Sequence, residues 1–241
     1  MNGIERYPLV IGHKGAKSEA PENSLKSFQR AIELNADFIE FDLHISKDGE
    51  IVIIHDENTL DTTGYNGLVK EMTLNKLKEL DIGEGEKIPT LTELIKIAKG
   101  KIKLQPEIKV PEVTQDLVEI LKKNHLIENS LVSCFGIVEL LKIKEIEPTL
   151  KLGYLIPKML TNTRIIRLYV RKAFKNEFFA IHPYYDMVDR AFVELAHDNN
   201  LKVYVWTVNE ESIMRKLITL GVDGIITDDI ALLNQVLDRF Y

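Results

Sequence analysis

The chain has 241 residues, 45% of them apolar and 28% charged, enough for a full core beneath a solvated surface and close to the roughly 250 residues of a single α/β barrel. Lys plus Arg number 31 against 37 Asp plus Glu, a net charge of -6. That balance argues against a nucleic-acid partner, which calls for a basic stripe, but not against a small anionic substrate in a locally positive site.

The sole cysteine, Cys134, allows no intramolecular disulfide and reads as a small buried hydrophobe. No apolar run approaches the ~20 residues that span a bilayer. The start, Met1 to Pro8, lacks the apolar core and cleavage site of a signal peptide. The expectation is a cytoplasmic protein without stable membrane insertion, with a homo-oligomer left open.

In chain order, residues 10–13 read as a first strand. Residues 23–34 read as a helix, opened by Pro21 and Asn23, with Leu25, Phe28, Ala31 and Ile32 on one face. Residues 38–45 form a second strand and 51–55 a third extended run. Lys47-Asp48-Gly49 between them is a tight-turn signal, so the two are predicted to pair as a hairpin. Residues 57–87 then break the rhythm. They are polar and turn-rich (Thr62-Thr63-Gly64, Asn66-Gly67, Gly83-Glu84-Gly85), with one short helical pattern at 73–80, and read as an insertion. After Pro89, helices at 92–98, 113–123, 138–146, 163–172, 188–199, 210–220 and 230–240 alternate with strands at 102–108, 131–135, 151–156, 178–182, 202–207 and 224–227.

Leaving out the hairpin run, eight strands each lead to a helix. The prediction is α/β: a (β/α)8 TIM barrel, one domain over residues 1–241, with 57–87 a small insertion after the second strand. A doubly wound open sheet is the rival. It would have fewer strands and a glycine-rich first turn, and His13-Lys14-Gly15-Ala16 is not GxGxxG.

In a barrel, reactive groups sit at the C-terminal strand ends. The first strand ends in His13 and Lys14. The second carries Glu40 and Asp42, two apart and so on one side. The strand at 102–108 does the same with Glu107 and Lys109. Three hard oxygen donors without cysteine suggest Mg2+ or Ca2+ rather than zinc. Any one of these acids alone would be a structural salt bridge, and the trio beside histidines makes the stronger case for a site. For His13 alone a capping or core role is an even rival; for His55, beside Asp56, a turn-stabilising one is the competitor. His125 and His197 read as surface residues. His44 is read as facing opposite to Asp42 and is set aside. His182 ends its strand, either at the mouth or in packing.

The ordered set His13-Lys14-Gly15, Pro21-Glu22-Asn23-Ser24, Phe28, Ala31, Glu40-Phe41-Asp42, Lys47-Asp48-Gly49 and His55-Asp56 resembles the glycerophosphodiester phosphodiesterase family, whose pattern runs HRG, PENT, AF, ExD, TxDG, HD. Thr62-Thr63-Gly64, Ile88-Pro89-Thr90-Leu91, Glu107-Ile108-Lys109, Trp206-Thr207-Val208-Asn209 and the stretch from Gly221 to Asp228 extend the match over nearly the whole chain.

The resemblance implies a barrel with a small insertion and a metal-dependent hydrolysis of glycerophosphodiesters to sn-glycerol 3-phosphate and an alcohol. By the same resemblance His13 and His55 are the acid/base pair, and Glu40, Asp42 and Glu107 bind a divalent metal. Lys14 contacts phosphate where arginine is usual, losing the bidentate fork. Lys109 lies near metal and phosphate, and Trp206 lines the glycerol side, with a core tryptophan as its rival. Asp61 stands where the family often has arginine. The nearest alternative is a lysophospholipase D-like barrel with an apolar lip drawn from Phe174, Phe178, Phe179 and Tyr184-Tyr185. A non-catalytic binding barrel is the other, and it predicts a missing site residue.

Overall fold

A computed structural model of the protein describes residues 8–241. The stretch read as lacking a signal peptide lies, apart from Pro8, outside them. Among the described residues nine strands form one sheet: β1 (Leu9–Gly12), β2 (Phe38–Ile45), β3 (Ile51–Ile53), β4 (Lys103–Ile108), β5 (Leu131–Cys134), β6 (Lys151–Leu155), β7 (Ala180–His182), β8 (Lys202–Val205) and β9 (Gly224–Thr227). Their order is β1-β9-β8-β7-β6-β5-β4-β2-β3, and β1 also pairs with β2. That extra pairing closes eight parallel strands into a barrel. β3 is left outside it, antiparallel to β2 with Leu43 opposite Ile53. The chain is therefore a (β/α)8 TIM barrel, and the hairpin predicted from Lys47-Asp48-Gly49 is present.

The helices are α1 (Leu25–Glu33), α2 (Leu60–Thr63), α3 (Leu74–Glu79), α4 (Leu91–Ala98), α5 (Thr114–Lys123), α6 (Ile137–Ile146), α7 (Thr163–Lys175), α8 (Arg190–Asp198), α9 (Glu211–Leu220) and α10 (Ile230–Asp238). Local chemistry sets their ends. α1 begins two residues later than the apolar pattern suggests, because Asn23 holds a left-handed φ of 56°. Ser24 is the cap and accepts from the Ser27 N–H at 2.9 Å. α8 starts at Arg190 rather than 188 because Asp189 caps it, accepting from the Phe192 N–H at 2.7 Å. β7 starts at Ala180 rather than 178 because the chain is still leaving α7: Glu177 has φ 51° and the Phe178 N–H closes on the Ala173 carbonyl at 3.0 Å.

Alternation along the strands separates two apolar compartments. Val10, Ile39, Phe41 and Leu104 face outward, joining Phe28 and Ala31 of α1 in the large cluster between barrel and helices. Ile11, Phe38, Leu131, Ala180, Tyr204 and Ile226 form a second cluster that fills the barrel interior. Residues 57–87 contain α2 and α3. Val69, Met72, Leu77, Leu80 and Ile82 from this stretch pack on Val52 and Ile54 in a third cluster. Gly15 has φ 84°, and a Cβ there would lie 2.4 Å from the Ser27 hydroxyl oxygen, so only glycine lets the β1–α1 turn close on α1.

Candidate active site

Register brings the acids together. β2 and β4 run parallel with Glu40 beside Gln105 and Asp42 beside Glu107. Glu40, Asp42 and Glu107 are buried, and one carboxylate oxygen from each lies within 4.8 Å of the others. Lys109 bridges two of them, its ammonium 3.1 Å from Asp42 Oδ1 and 2.6 Å from Glu107 Oε1. The third is held from β1: the Lys14 N–H donates to Glu40 Oε2 at 3.0 Å. That N–H is aimed by the left-handed turn at Lys14, whose φ is 54°. Asn23 orients Asp42, donating from Nδ2 to Oδ2 at 2.9 Å. Asparagine suits the position because it tolerates the left-handed backbone and carries both donor and acceptor.

The electrostatics of the trio are uneven. Burial pushes the Glu40 carboxyl well above the ordinary carboxylate range, and the nearby charges of Asp42 and Glu107 add to that. Burial likewise raises Glu107, to about 7, though Lys109 opposes it. Burial acts on Asp42 too, but the charges of Lys109, His55 and Lys14 outweigh it and hold the carboxyl below its usual value. The three buried carboxylates have one ammonium in direct contact, that of Lys109 on Asp42 and Glu107, while the Lys14 ammonium is paired with Glu22, so the site is short of positive charge. Hard oxygen donors converging with that deficit fit a hard divalent cation, so the trio could hold one.

Both expected histidines reach the same cleft. It has a volume of about 360 Å3 and is lined by His13, Glu40, Asp42, His55, Glu107 and Lys109 on one side. Phe135, Leu155, Met159 and Trp206 form much of the other. Each imidazole is tethered at Nδ1: His13 to Asp228 Oδ1 at 2.6 Å, His55 to Asp56 Oδ1 at 2.7 Å. Asp228 is fixed in turn by Asn209, which donates from Nδ2 to Oδ2 at 2.6 Å and accepts from the Asp228 N–H at 2.9 Å. Burial raises the Asp228 carboxyl, but the hydrogen bond and charge of His13 prevail and leave it below its ordinary value.

Trp206 lines the cleft and is held edge-on between Phe135 and Tyr184, at ring distances of 5.8 and 5.5 Å. Its indole N–H donates to the His182 carbonyl at 2.9 Å. Lys14 is the residue whose placement departs from expectation. Its side chain does not line the cleft, and its ammonium pairs with Glu22 Oε1 at 2.9 Å.

His44 requires a correction. Two residues from Asp42 on one strand, it shares that residue's side rather than opposing it. It is buried, and its Nε2 lies 3.1 Å from the His55 carbonyl oxygen, supporting the loop that carries His55. His182 is fully buried, with neither ring nitrogen partnered by protein. A Cβ on Gly153 would come within 2.3 Å of its Nε2, so that glycine makes the room it occupies. His197 is exposed and pairs with Asp223 at 2.7 Å; His125 is exposed. Burial pushes the Cys134 thiol up to about 11, as suits an inert core residue.

Of the lip residues named for the alternative, Tyr184 packs on the cleft-lining Trp206 and on Tyr185, at ring distances of 5.5 and 4.4 Å, while the three phenylalanines scatter. Phe178 is buried in the core, and Phe179 is partly buried against the cluster that fills the barrel interior. Phe174 lies exposed on α7. Asp61 sits exposed on α2.

The glycerophosphoryl diester phosphodiesterase family model matches residues 13–232. The chain belongs to that family. This makes it a phosphoric diester hydrolase. It is 36% identical to the glycerophosphodiester phosphodiesterase of Caldanaerobacter subterraneus subsp. tengcongensis, over 92% of this chain and 94% of the relative. Among solved structures, the glycerophosphodiester phosphodiesterase of Thermotoga maritima is 31% identical with a TM-score of 0.83, over 95% of this chain and 98% of the other. A phosphodiesterase of Oleispira antarctica, solved with the product sn-glycerol-3-phosphate, is 28% identical with a TM-score of 0.87, over 96% and 97% of the two chains. Within the family frame, Asp228 and Asn209 are the contributions that residue-by-residue reading left without a role. Both lie in matched motifs, and that was the signal available.

Proposed function

We propose that this family member hydrolyses glycerophosphodiesters to sn-glycerol 3-phosphate and an alcohol in the His13–His55 cleft. Glu40, Asp42 and Glu107 would hold the divalent cation, Mg2+ or Ca2+, and the substrate is a soluble small molecule. The observation that carries the reading is that two imidazoles, each tethered at Nδ1 by its own aspartate, line the same cleft as three convergent carboxylates. The product bound by the Oleispira antarctica relative supports the substrate class.

A phosphodiester anion repels nucleophiles, and a cation held by Glu40, Asp42 and Glu107 would supply charge withdrawal from the phosphoryl group. The Lys109 ammonium adds positive field at the same end of the cleft. With Nδ1–H donated to aspartate, each imidazole offers Nε2 to the reaction. One takes a proton from the nucleophile and the other, protonated, gives one to the leaving alkoxide, each transfer contributing ~10²–10⁴-fold. Trp206, immobilised by two rings and a hydrogen bond, is an apolar wall for the glycerol carbons. Lys14 positions Glu40 through its backbone, and its side chain would reach a phosphate by exchanging Glu22 for it.

His13→Ala and His55→Ala should each lower kcat for glycerophosphocholine by at least about 10²-fold. A chelator should abolish turnover, with Mg2+ or Ca2+ restoring it. Full metal-dependent turnover in either variant would sink the acid/base assignment, and chelator-resistant activity would make the carboxylates structural. A second reading has one observation in its favour: Phe135, Leu155, Met159 and Trp206 give the cleft an apolar wall suited to an acyl chain. Faster turnover of lysophosphatidylcholine than of glycerophosphocholine would favour it.

A further inference from the structure

Residues 157–175 carry Lys158, Arg164, Arg167, Arg171, Lys172 and Lys175 and no acid, in a chain whose net charge is -6. Whole-chain charge conceals this segment. All six cations are exposed. The ion pairs of the described residues include none of them.

Large apolar side chains stand exposed among them: Met159 at 86%, Ile165 at 39%, Leu168 at 49% and Phe174 at 51%. α7 already buries Ile166, Val170 and Ala173 in the body of the protein, so these apolar groups lie outside its packed face. Arg164, Leu168, Arg171 and Lys175 follow the three- and four-residue spacing of a single helix stripe. The segment also borders the mouth of the barrel, since Lys158 and Met159 line the active cleft just before α7 begins.

We propose that α7 and the loop leading into it form a peripheral docking surface for an anionic phospholipid bilayer. Docked there, the enzyme would have its cleft mouth beside the lipid surface. Cations draw the face to lipid phosphates, and the interleaved apolar groups partition into the interface. Other occupants fit less well. Aliphatic side chains such as Ile165 and Leu168 gain nothing against a nucleic-acid backbone. A second copy docking face to face would set like charges against each other. The surface is for reversible binding: no helix among the described residues is long and apolar enough to cross a membrane. The inference does not depend on the reaction proposed above, because its test reads binding.

Co-sedimentation with vesicles of phosphatidylcholine alone, and with phosphatidylglycerol added, provides that test. The full chain should pellet with the anionic vesicles only, and 0.5 M salt should release most of it. The triple variant Arg164→Gln/Arg167→Gln/Arg171→Gln should bind about 100-fold more weakly, on the order of fivefold per cation. Leu168→Ser should bind roughly tenfold more weakly. Both should hydrolyse soluble glycerophosphocholine like the parent, which reports an intact fold. Failure of the parent to pellet with anionic vesicles, or parental affinity in the triple variant, would overturn the proposal. So would undiminished binding by Leu168→Ser, or duplex DNA captured in preference to vesicles, since either points to a generic polyanion site.

Discussion

His13 and His55 are each tied at Nδ1 by an aspartate, and that tether fixes the direction of an imidazole lining the cleft. The histidines, the three acids and Lys109 were legible because they stand at strand ends or at spacings of two, where alternation dictates a shared side. Asp228 was not, because it reaches His13 across 215 positions of sequence. His44 was misread by a slip in that same alternation. Asp228 touches His13 at 2.6 Å, and an aspartate that positions a catalytic imidazole should tell in turnover rather than binding. Asp228→Asn should lower kcat for glycerophosphocholine at least about tenfold with KM within about twofold, as befits a positioning residue. Unchanged kcat in steady-state assays would reduce Asp228 to packing.

At the level of elements, apolar periodicity located every strand of the barrel and the helices between them, and it missed ends by one to three residues. The misses share a cause. Periodicity reports burial, whereas ends are set by caps and left-handed residues such as Asn23, Asp189 and Glu177. α4 shows how much a cap can carry: Thr90 accepts from the Glu93 N–H at 3.2 Å, and Glu93 Oε2 accepts from the Thr90 N–H at 2.7 Å. α4 follows directly on residues 57–87, so this reciprocal box marks where the barrel alternation resumes. Thr90→Ala should cost about 1 kcal/mol of unfolding free energy in urea titrations, and a loss under about 0.3 kcal/mol would mean the helix start is held by packing alone.

Across the whole molecule, closing the barrel buries groups that no local pattern marks as buried. His182 read equally as a mouth residue or a packing residue, and closure puts it inside with burial lowering its pKa to about 3. The unfolded chain takes up this proton near pH 6.5 and the folded chain only near 3, so stability is full above about 6.5 and falls as pH drops through that window. The loss approaches about 1.4 kcal/mol per pH unit, with a ceiling on the order of 5 kcal/mol. Denaturant titrations at pH 7 and 4.5 should show His182→Leu losing less stability between the two than the parent does. Equal losses would mean that His182 is not buried neutral.

Sequence alone determined the barrel, because eight apolar strands each leading to a helix leave the chain few other ways to bury them. It also determined which residue types stand at the mouth, because strand ends and two-residue spacing are local properties. Tertiary structure alone decided how those residues are used. Asp228, held by Asn209, meets His13 only when β9 closes on β1, and Asp42 faces Glu107 only through the β2–β4 register. Lys14 gives its N–H to Glu40 while its ammonium turns to Glu22, two contacts that only the folded chain supplies. Contacts between distant segments depend on closure and register, and neither is written in any short stretch of chain.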